Sequence, residues 1–272
     1  MLGSSRWSLD GASAALVERS RTSGTEDFVA LSADLFAVAN VLDANLDLRR
    51  MLSDSGTALD RRTDLVRTLF AGKIATVSVE VFEDIVGRRW SHGGELVDAT
   101  EIVGAQAGFL AADAAGRIDT VEDELYRVSR IVGSSAELRT ALTDRWMPAE
   151  NKLALVRDLF AGKVDPQTLA VVEQLVGSPR GRRFESAVDD MAKLAAERHS
   201  EVMAEAHVAR PLVPEQSARL AAALQAIYGR PVRLTEIVDP DVVGGVKVVV
   251  GDEVIDGSVA RRLAQAKQQL TG

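Results

Sequence analysis

The sequence predicts a mostly α protein: an N-terminal helical bundle present in two tandem copies, followed by a small α+β C-terminal domain. Three observations predict it. None of the first 147 residues is proline, whereas Pro211, Pro214, Pro231 and Pro240 fall in the last quarter; proline costs roughly 3 kcal/mol inside a helix, so the first part suits helices. Shifted by 90 positions the chain matches itself without a gap: LVRTLFAGK at 65–73 returns as LVRDLFAGK at 155–163. Near Val202 the apolar period changes from that of a helix to that of a strand. The expected domains are a first bundle copy over 1–115, a second over 116–200 and an α+β domain over 201–272.

The elements follow in order. A helix in front, Leu9–Arg21, precedes Asp27–Asp43, whose Phe28, Leu31, Leu35, Val38 and Leu42 recur at helical spacing. Then come a short helix near Leu46–Leu52 and longer ones at Ala58–Phe70, Thr76–Val86 and Glu95–Ala112. The second copy repeats this from about Ile118, with Pro148 and Pro166 near helix starts, where proline is tolerated. Its last helix, Phe184 to Ser200, aligns Phe184, Val188, Met191, Leu194 and Ala195. The register also pairs Leu35 with Leu125, Val38 with Val128, Leu52 with Leu142, Val81 with Val171, Glu83 with Glu173 and Val86-Gly87 with Val176-Gly177. Chance does not keep one register that long, which is the mark of an internal repeat.

One helix per copy is too apolar for one-sided burial. In Thr76–Val86, Val77, Val81 and Ile85 make one stripe while Val79, Phe82 and Val86 make another. In the second copy Val171 and Leu175 stand against Leu169, Val172 and Val176. A bundle helix usually needs one stripe of about 100°. Two stripes mean either central burial or a groove that accepts an amphipathic helix.

In the last domain Val202, Ala204, Ala206 and Val208 alternate with Met203, Glu205, His207 and Ala209, a half-buried strand. A helix over Glu215–Tyr228 turns Leu220, Leu224 and Ile227 inward and stops at Gly229. Strands follow at Pro231–Val238, Gly244–Val250 and Glu253–Ile255, the last two joined by a tight turn at Gly251-Asp252. Ser258 or Asp256 caps a final helix with Val259, Leu263, Ala266 and Leu270 on one face.

Composition excludes several functions. With 32 basic and 40 acidic residues the net charge is −8, unsuited to nucleic acid, whose binding rests on clustered Lys and Arg. Arg180, Arg182 and Arg183 read as a solvated loop. No apolar run approaches the roughly 18 residues of a membrane helix, so any membrane association is expected through a partner rather than by direct insertion. Without cysteine there is neither disulfide nor thiolate. His92, His199 and His207 each stand alone, so no metal site is expected. Ala71-Gly72-Lys73 has Arg67 where a phosphate loop needs its first glycine and Ile74 where it needs a hydroxyl; Gly72 and Gly162 read as helix stops. Gly244-Gly245 lacks the third glycine of a dinucleotide fingerprint and reads as a tight turn. No catalytic or cofactor-binding residue stands out.

Several C-terminal motifs occur in an order that matches a known family. The alternating strand and Pro-Leu pair lie in Ala206–Leu212, the helix at Glu215–Tyr228 and a Val-Asp-Pro turn at 238–240. They are followed by Gly244-Gly245, Gly251-Asp252 and Ile255-Asp256-Gly257-Ser258-Val259. In these the chain resembles the delta subunit of F-type ATP synthases, the oligomycin-sensitivity-conferring protein of mitochondria. Val213-Pro214, where that family usually has a polar helix cap, is a departure. The family's helical domain is a six-helix bundle, so the first and last portions look like the usual ends and the extra copy like an insertion.

The resemblance implies a non-catalytic stator subunit of the peripheral stalk, at the cytoplasmic face of the cell membrane through the complex. It implies two partners: amphipathic N-terminal helices of the alpha subunits, and b-type subunits at the C-terminal domain. The groove for the alpha helix is expected to be lined by Leu9, Ala12 and Leu16 with Val79, Phe82 and Val86. Its counterpart in the second copy would use Leu169, Val172 and Val176. Which copy meets the catalytic head is open, and a helical-repeat adaptor with unrelated partners is the rival reading.

Overall fold

The computed structural model describes residues 3–20, 24–144, 146–199, 202–228, 232–240, 242, 244–250 and 253–257. Helices form where the apolar period is helical and nothing interrupts it. They are α1 (Ser4–Arg19), α2 (Thr25–Ala44), α3 (Leu46–Ser53), α4 (Leu59–Phe70), α5 (Thr76–Gly87) and α6 (Gly93–Ala114), then α7 (Ile118–Ser134), α8 (Ala136–Thr143), α9 (Ala149–Phe160), α10 (Pro166–Gly177) and α11 (Phe184–His199). The first helix begins five residues earlier than expected. Ser5 is buried, accepts from the Ser91 backbone N–H at 2.9 Å and donates to Glu95, and these bonds hold the opening turn.

Helices α3, α4 and α5 recur as α8, α9 and α10 with both ends displaced by 90 residues, as does the end of α2 in α7. The polar bonds recur too. Asp34 of α2 accepts from the Ala75 N–H at 3.0 Å and Ser78 Oγ at 2.6 Å. Ninety residues on, Glu124 of α7 accepts from the Asp165 N–H at 2.8 Å and Thr168 Oγ1 at 2.7 Å. Each carboxylate thereby satisfies donors at the start of α5 or α10, where a helix carries partial positive charge. Gly72 and Gly162 follow α4 and α9 at φ 76° and 73°, the left-handed stop that glycine adopts without strain.

Two cores fill the helical part. In the first, Leu31, Leu35 and Leu42 of α2 meet Phe82 and Ile85 of α5 and Leu96, Val97 and Val103 of α6, and Phe82 packs edge-on to Phe70 at 5.6 Å between ring centres. In the second, Val121, Leu125 and Val128 of α7 meet Val172 and Leu175 of α10 and Val188 and Met191 of α11. The expected cut after residue 115 falls at the end of α6, yet α6 serves both sides. Its Leu96, Val103 and Leu110 enter the first core, and its Ile102, Ala105 and Phe109 the second. Met1–His199 is accordingly one compact unit and Ser200–Gly272 another.

The second unit is a four-stranded mixed sheet, β1 (Val202–Val208), β2 (Val232–Val238), β3 (Val246–Val250) and β4 (Glu253–Asp256), in the order β2-β1-β3-β4. β1 and β2 run parallel, joined through α12 (Pro214–Tyr228), and the other pairs are antiparallel. Ala204, Ala206 and Val208 bury one face of β1 against Leu224, Leu234 and Val248. Leu220 and Leu224 of α12 pack on this core as expected, but Ile227 in its last turn is 65% exposed. The expected final helix, with Val259, Leu263, Ala266 and Leu270, lies outside the described residues.

Candidate partner-binding surface

Helix α1 packs against α5 and α6, and 90 residues on α6 packs against α10 and α11. The residues expected to line a groove on α1 and α5 do come together, but as core. Ala12, Leu16, Val79, Phe82 and Val86 are buried in the first core and Leu9 packs against it; Phe82 and Val86 have no exposed surface. On α10, where the expected second copy would have its groove, Val172 and Val176 are likewise buried, with Leu169 partly so. The double stripe on α5 and α10 therefore reflects central burial. A side chain enclosed on all sides cannot meet a partner unless the bundle opens.

What α1 and α5 leave outward is smaller and more polar. Ala14 and Glu18 of α1 and Glu80 of α5 are exposed, and Val77 and Asp84 are half-buried. Arg19 pairs with Glu80 at 2.9 Å, and Arg88 reaches Asp84 through bonds of 2.9–3.1 Å. Beside this face lies an open cleft of about 550 Å³ lined by Leu59, Thr63, Glu80, Asp84, Gly87 and Arg88 among others. A second, of about 320 Å³, continues along α5 past Val79 to Ile74 and Gly72. Glu83, which borders both clefts, pairs with Arg67 at 2.6 Å, and this bond raises the Arg67 guanidinium above its ordinary value. The surface is mixed, with small and apolar side chains at Ala14, Val77 and Leu59 bordered by paired acids and arginines, a chemistry suited to an amphipathic helix.

The corresponding face of α6 and α10 is covered. Helix α2 lies along α6, where a Cβ on Gly104 would stand 3.1 Å from the Phe36 ring and 3.2 Å from Leu35 Cβ. At Gly108 a Cβ would meet Gln167 Oε1 of α10 at 2.6 Å and Ser32 Oγ of α2 at 3.1 Å, so all three helices converge there. Asn40 and Gln174 exchange two amide bonds of 3.1 and 3.0 Å, and Ser178 Oγ donates to Asp43 at 3.3 Å.

The buried Glu101 of α6 was not singled out by the sequence. It accepts from Gln174 Nε2 at 3.2 Å, from Arg182 at 2.6 and 3.1 Å, and from Arg180. Two of the three arginines expected in a solvated loop, Arg180 and Arg182, are thus drawn onto a buried carboxylate, while Arg183 stays exposed. Only 10% of the Arg180 side chain is exposed, and its backbone takes a left-handed φ of 47° to reach it. The one available signal was an acid standing inside the apolar run of α6.

Near the other end, burial raises the Glu95 carboxyl, but bonds from Ser5 and Ser91 and the charge of His92 outweigh it and hold it below its ordinary value. In the second unit Gly244 and Gly245 take φ of 71° and 83°, a conformation side chains rarely adopt, and the Gly257 N–H donates to Val246 O at 2.9 Å. Asp256 pairs with Lys247 in the ladder, whereas Gly251, Asp252 and Ser258 lie outside the described residues. A cleft of about 610 Å³ is lined by Leu212, Gln216, Arg219, Leu220 and the strand-end glycines Gly245 and Gly257. Among the described residues no single helix is long and apolar enough to cross a membrane.

Comparison with known proteins bears on both units. The family model described as ATP synthase delta (OSCP) subunit matches residues 105–270, starting inside α6. The first hundred residues, expected to include one of the family's usual ends, thus lie outside that match. They are nevertheless shared with relatives. The chain is 41% identical over 273 residues to the ATP synthase subunit delta of Acidothermus cellulolyticus, covering 99% of each. It is 41% identical over 246 residues to that of Streptomyces griseus, covering 90% of this chain and 91% of the relative. A chain of the Toxoplasma gondii mitochondrial ATP synthase hexamer aligns with 62% of this chain and 95% of its own length at 26% identity, with a TM-score of 0.28, too low to carry an argument about the fold. With the family match over most of the chain and relatives alike from end to end, this protein belongs to the ATP synthase delta (OSCP) subunit family.

Proposed function

We infer that this chain is a peripheral-stalk subunit of the proton-translocating ATP synthase, a connector that catalyses nothing itself. The carrying observation is its likeness, at 41% identity over 99% of its length, to a protein named ATP synthase subunit delta. A rotor that delivers torque turns the catalytic head idly unless the head is fixed to the membrane sector. One chain with two separate contact surfaces supplies that link, since binding through one raises the effective concentration for the other. The helical unit takes the N-terminal helix of an alpha subunit, and the sheet unit takes b-type subunits, which place the chain at the cytoplasmic face of the cell membrane. Apolar anchors suit a contact under sustained load because salt does not screen them.

We further propose that the helical unit is two copies of one module. The repeated elements and the paired Asp34 and Glu124 caps support this. The contact for the alpha helix then lies on the outward side of α1 and α5, at Ala14, Val77, Glu80 and Asp84, rather than on the buried side. The test is add-back. Membranes stripped of this chain are expected to lose coupled ATP synthesis and regain it when the purified chain returns; recovery without the chain, or none with it, would sink the assignment.

A further inference from the structure

The two modules are not equally available to a partner. Under the 90-residue correspondence the pair α1 and α5 matches the pair α6 and α10. Ala14 and Glu18 correspond to Gly104 and Gly108, Val77 to Gln167, and Asp84 and Arg88 to Gln174 and Ser178. In the first module these positions are exposed or half-buried, whereas in the second Gly104, Gly108, Gln167, Gln174 and Ser178 are all buried. The difference is α2.

Helix α2 has two faces. Leu31, Leu35, Val38 and Leu42 enter its own module's core. Ser32, Phe36, Asn40 and Asp43, spaced four, four and three residues apart, meet α6 and α10, and Phe36 packs within the second core. That spacing is how an amphipathic helix fills a groove between two others. Glycines at 104 and 108 let its backbone come close, and the Asn40–Gln174 and Asp43–Ser178 bonds satisfy the polar groups it covers.

We infer that α2 is an internal occupant of the second module's groove, so that one chain accepts a single partner helix, on the outward side of α1 and α5. This rests on the helix-in-groove reading above, and it fixes which module receives the partner and how many partners one chain takes. The second groove is closed from within, and a partner helix could enter it only by expelling α2 and exposing the first core as well.

The chain has no cysteine, so Asp43→Cys with Ser178→Cys allows α2 to be tied to the residue that follows α10 through a short reducible bis-thiosulfonate linker. Asn40→Cys with Gln174→Cys is the second pair should the first not fold. In the isolated chain the linker is expected to bridge the pair in high yield; two thiols that react but do not bridge overturn the inference. Added to stripped membranes, the tied chain is expected to restore coupling as fully as its untied form. Loss of coupling that a reductant reverses would show that α2 must leave, and overturns it.

Titration calorimetry with a synthetic N-terminal peptide of the alpha subunit is expected to saturate at one peptide per chain, tied or untied. Two per untied chain overturns the inference. No heat with either form sinks the partner reading instead, and bridging in the isolated chain then decides where α2 sits.

Discussion

Replacing Glu101 is the most demanding perturbation of the helical unit. Its carboxylate is 1% exposed and accepts from Gln174 and two arginines, while Asp98 supplies Arg180 with a further partner at 3.1 Å. In Glu101→Gln the shape is kept but both guanidinium groups lose their buried counter-charge. Breaking a buried pair from one side costs about 3–5 kcal/mol, because the remaining charge is left uncompensated. Arg182, with 31% of its side chain exposed, can turn towards water, and Arg180, which cannot, still keeps Asp98. The lower end, about 3 kcal/mol, is therefore expected. For a unit of this size that lowers the melting temperature by roughly 6–12 °C, read by circular dichroism at 222 nm and by the urea midpoint. The exposed Arg157–Glu173 pair serves as control, and Glu173→Gln should leave the melt almost unmoved. Replacing all three of Glu101, Arg180 and Arg182 by Met should recover most of the loss, since no charge is then stranded. A melt for Glu101→Gln within about 2 °C of the parent chain refutes the clamp.

Four other outcomes follow from the same geometry. Phe82→Ala, emptying a fully buried ring site, should cost about 3–5 kcal/mol of stability, read as a lower urea midpoint. Val77→Asp lies in the first turn of α5, where a negative charge is tolerated, so calorimetry should show weaker alpha-peptide binding with an unchanged melt. Gly104→Ala gains about 1 kcal/mol of helix propensity but must push α2 back from Leu35 Cβ and Phe36, a cost of about 1–3 kcal/mol, and a net loss near 1 kcal/mol is expected. Because the folded Glu95 carboxyl lies below its ordinary value of 4.5, its contribution is present above that pH and is lost as the pH falls further. Ser5→Ala removes one group holding it down and should move the acid limb of a stability-against-pH curve upward; a limb that stays put or moves down contradicts this.

Local pattern was readable where local forces decide. Repeated apolar spacing placed α3, α4, α5 and their counterparts to within a residue or so, and the change of period placed β1 because a pleated strand exposes alternate side chains. Gly72 and Gly162 were legible as stops for the same reason, a left-handed residue being a local demand. The proposed partner surface was not. An apolar stripe says that a side chain is hidden, not by what, so Phe82 and Val86 pointed to a groove although their own bundle encloses them. The fate of Arg180 and Arg182 depends on Glu101, some eighty positions away, and no spacing rule couples residues so distant. The covering of α10 by α2 is hidden likewise, since Ser32, Phe36 and Asn40 look like the ordinary back of a helix until α6 and α10 are set against them.

The double duty of α6 has a mechanical consequence. A helix with one row of side chains sunk in each core acts as a splint, since bending the chain at its middle would tear both rows at once. Tension applied at one end of the helical unit should therefore reach the other without slack, and the force needed to extend it in a single-molecule pull should appear as one rupture rather than two.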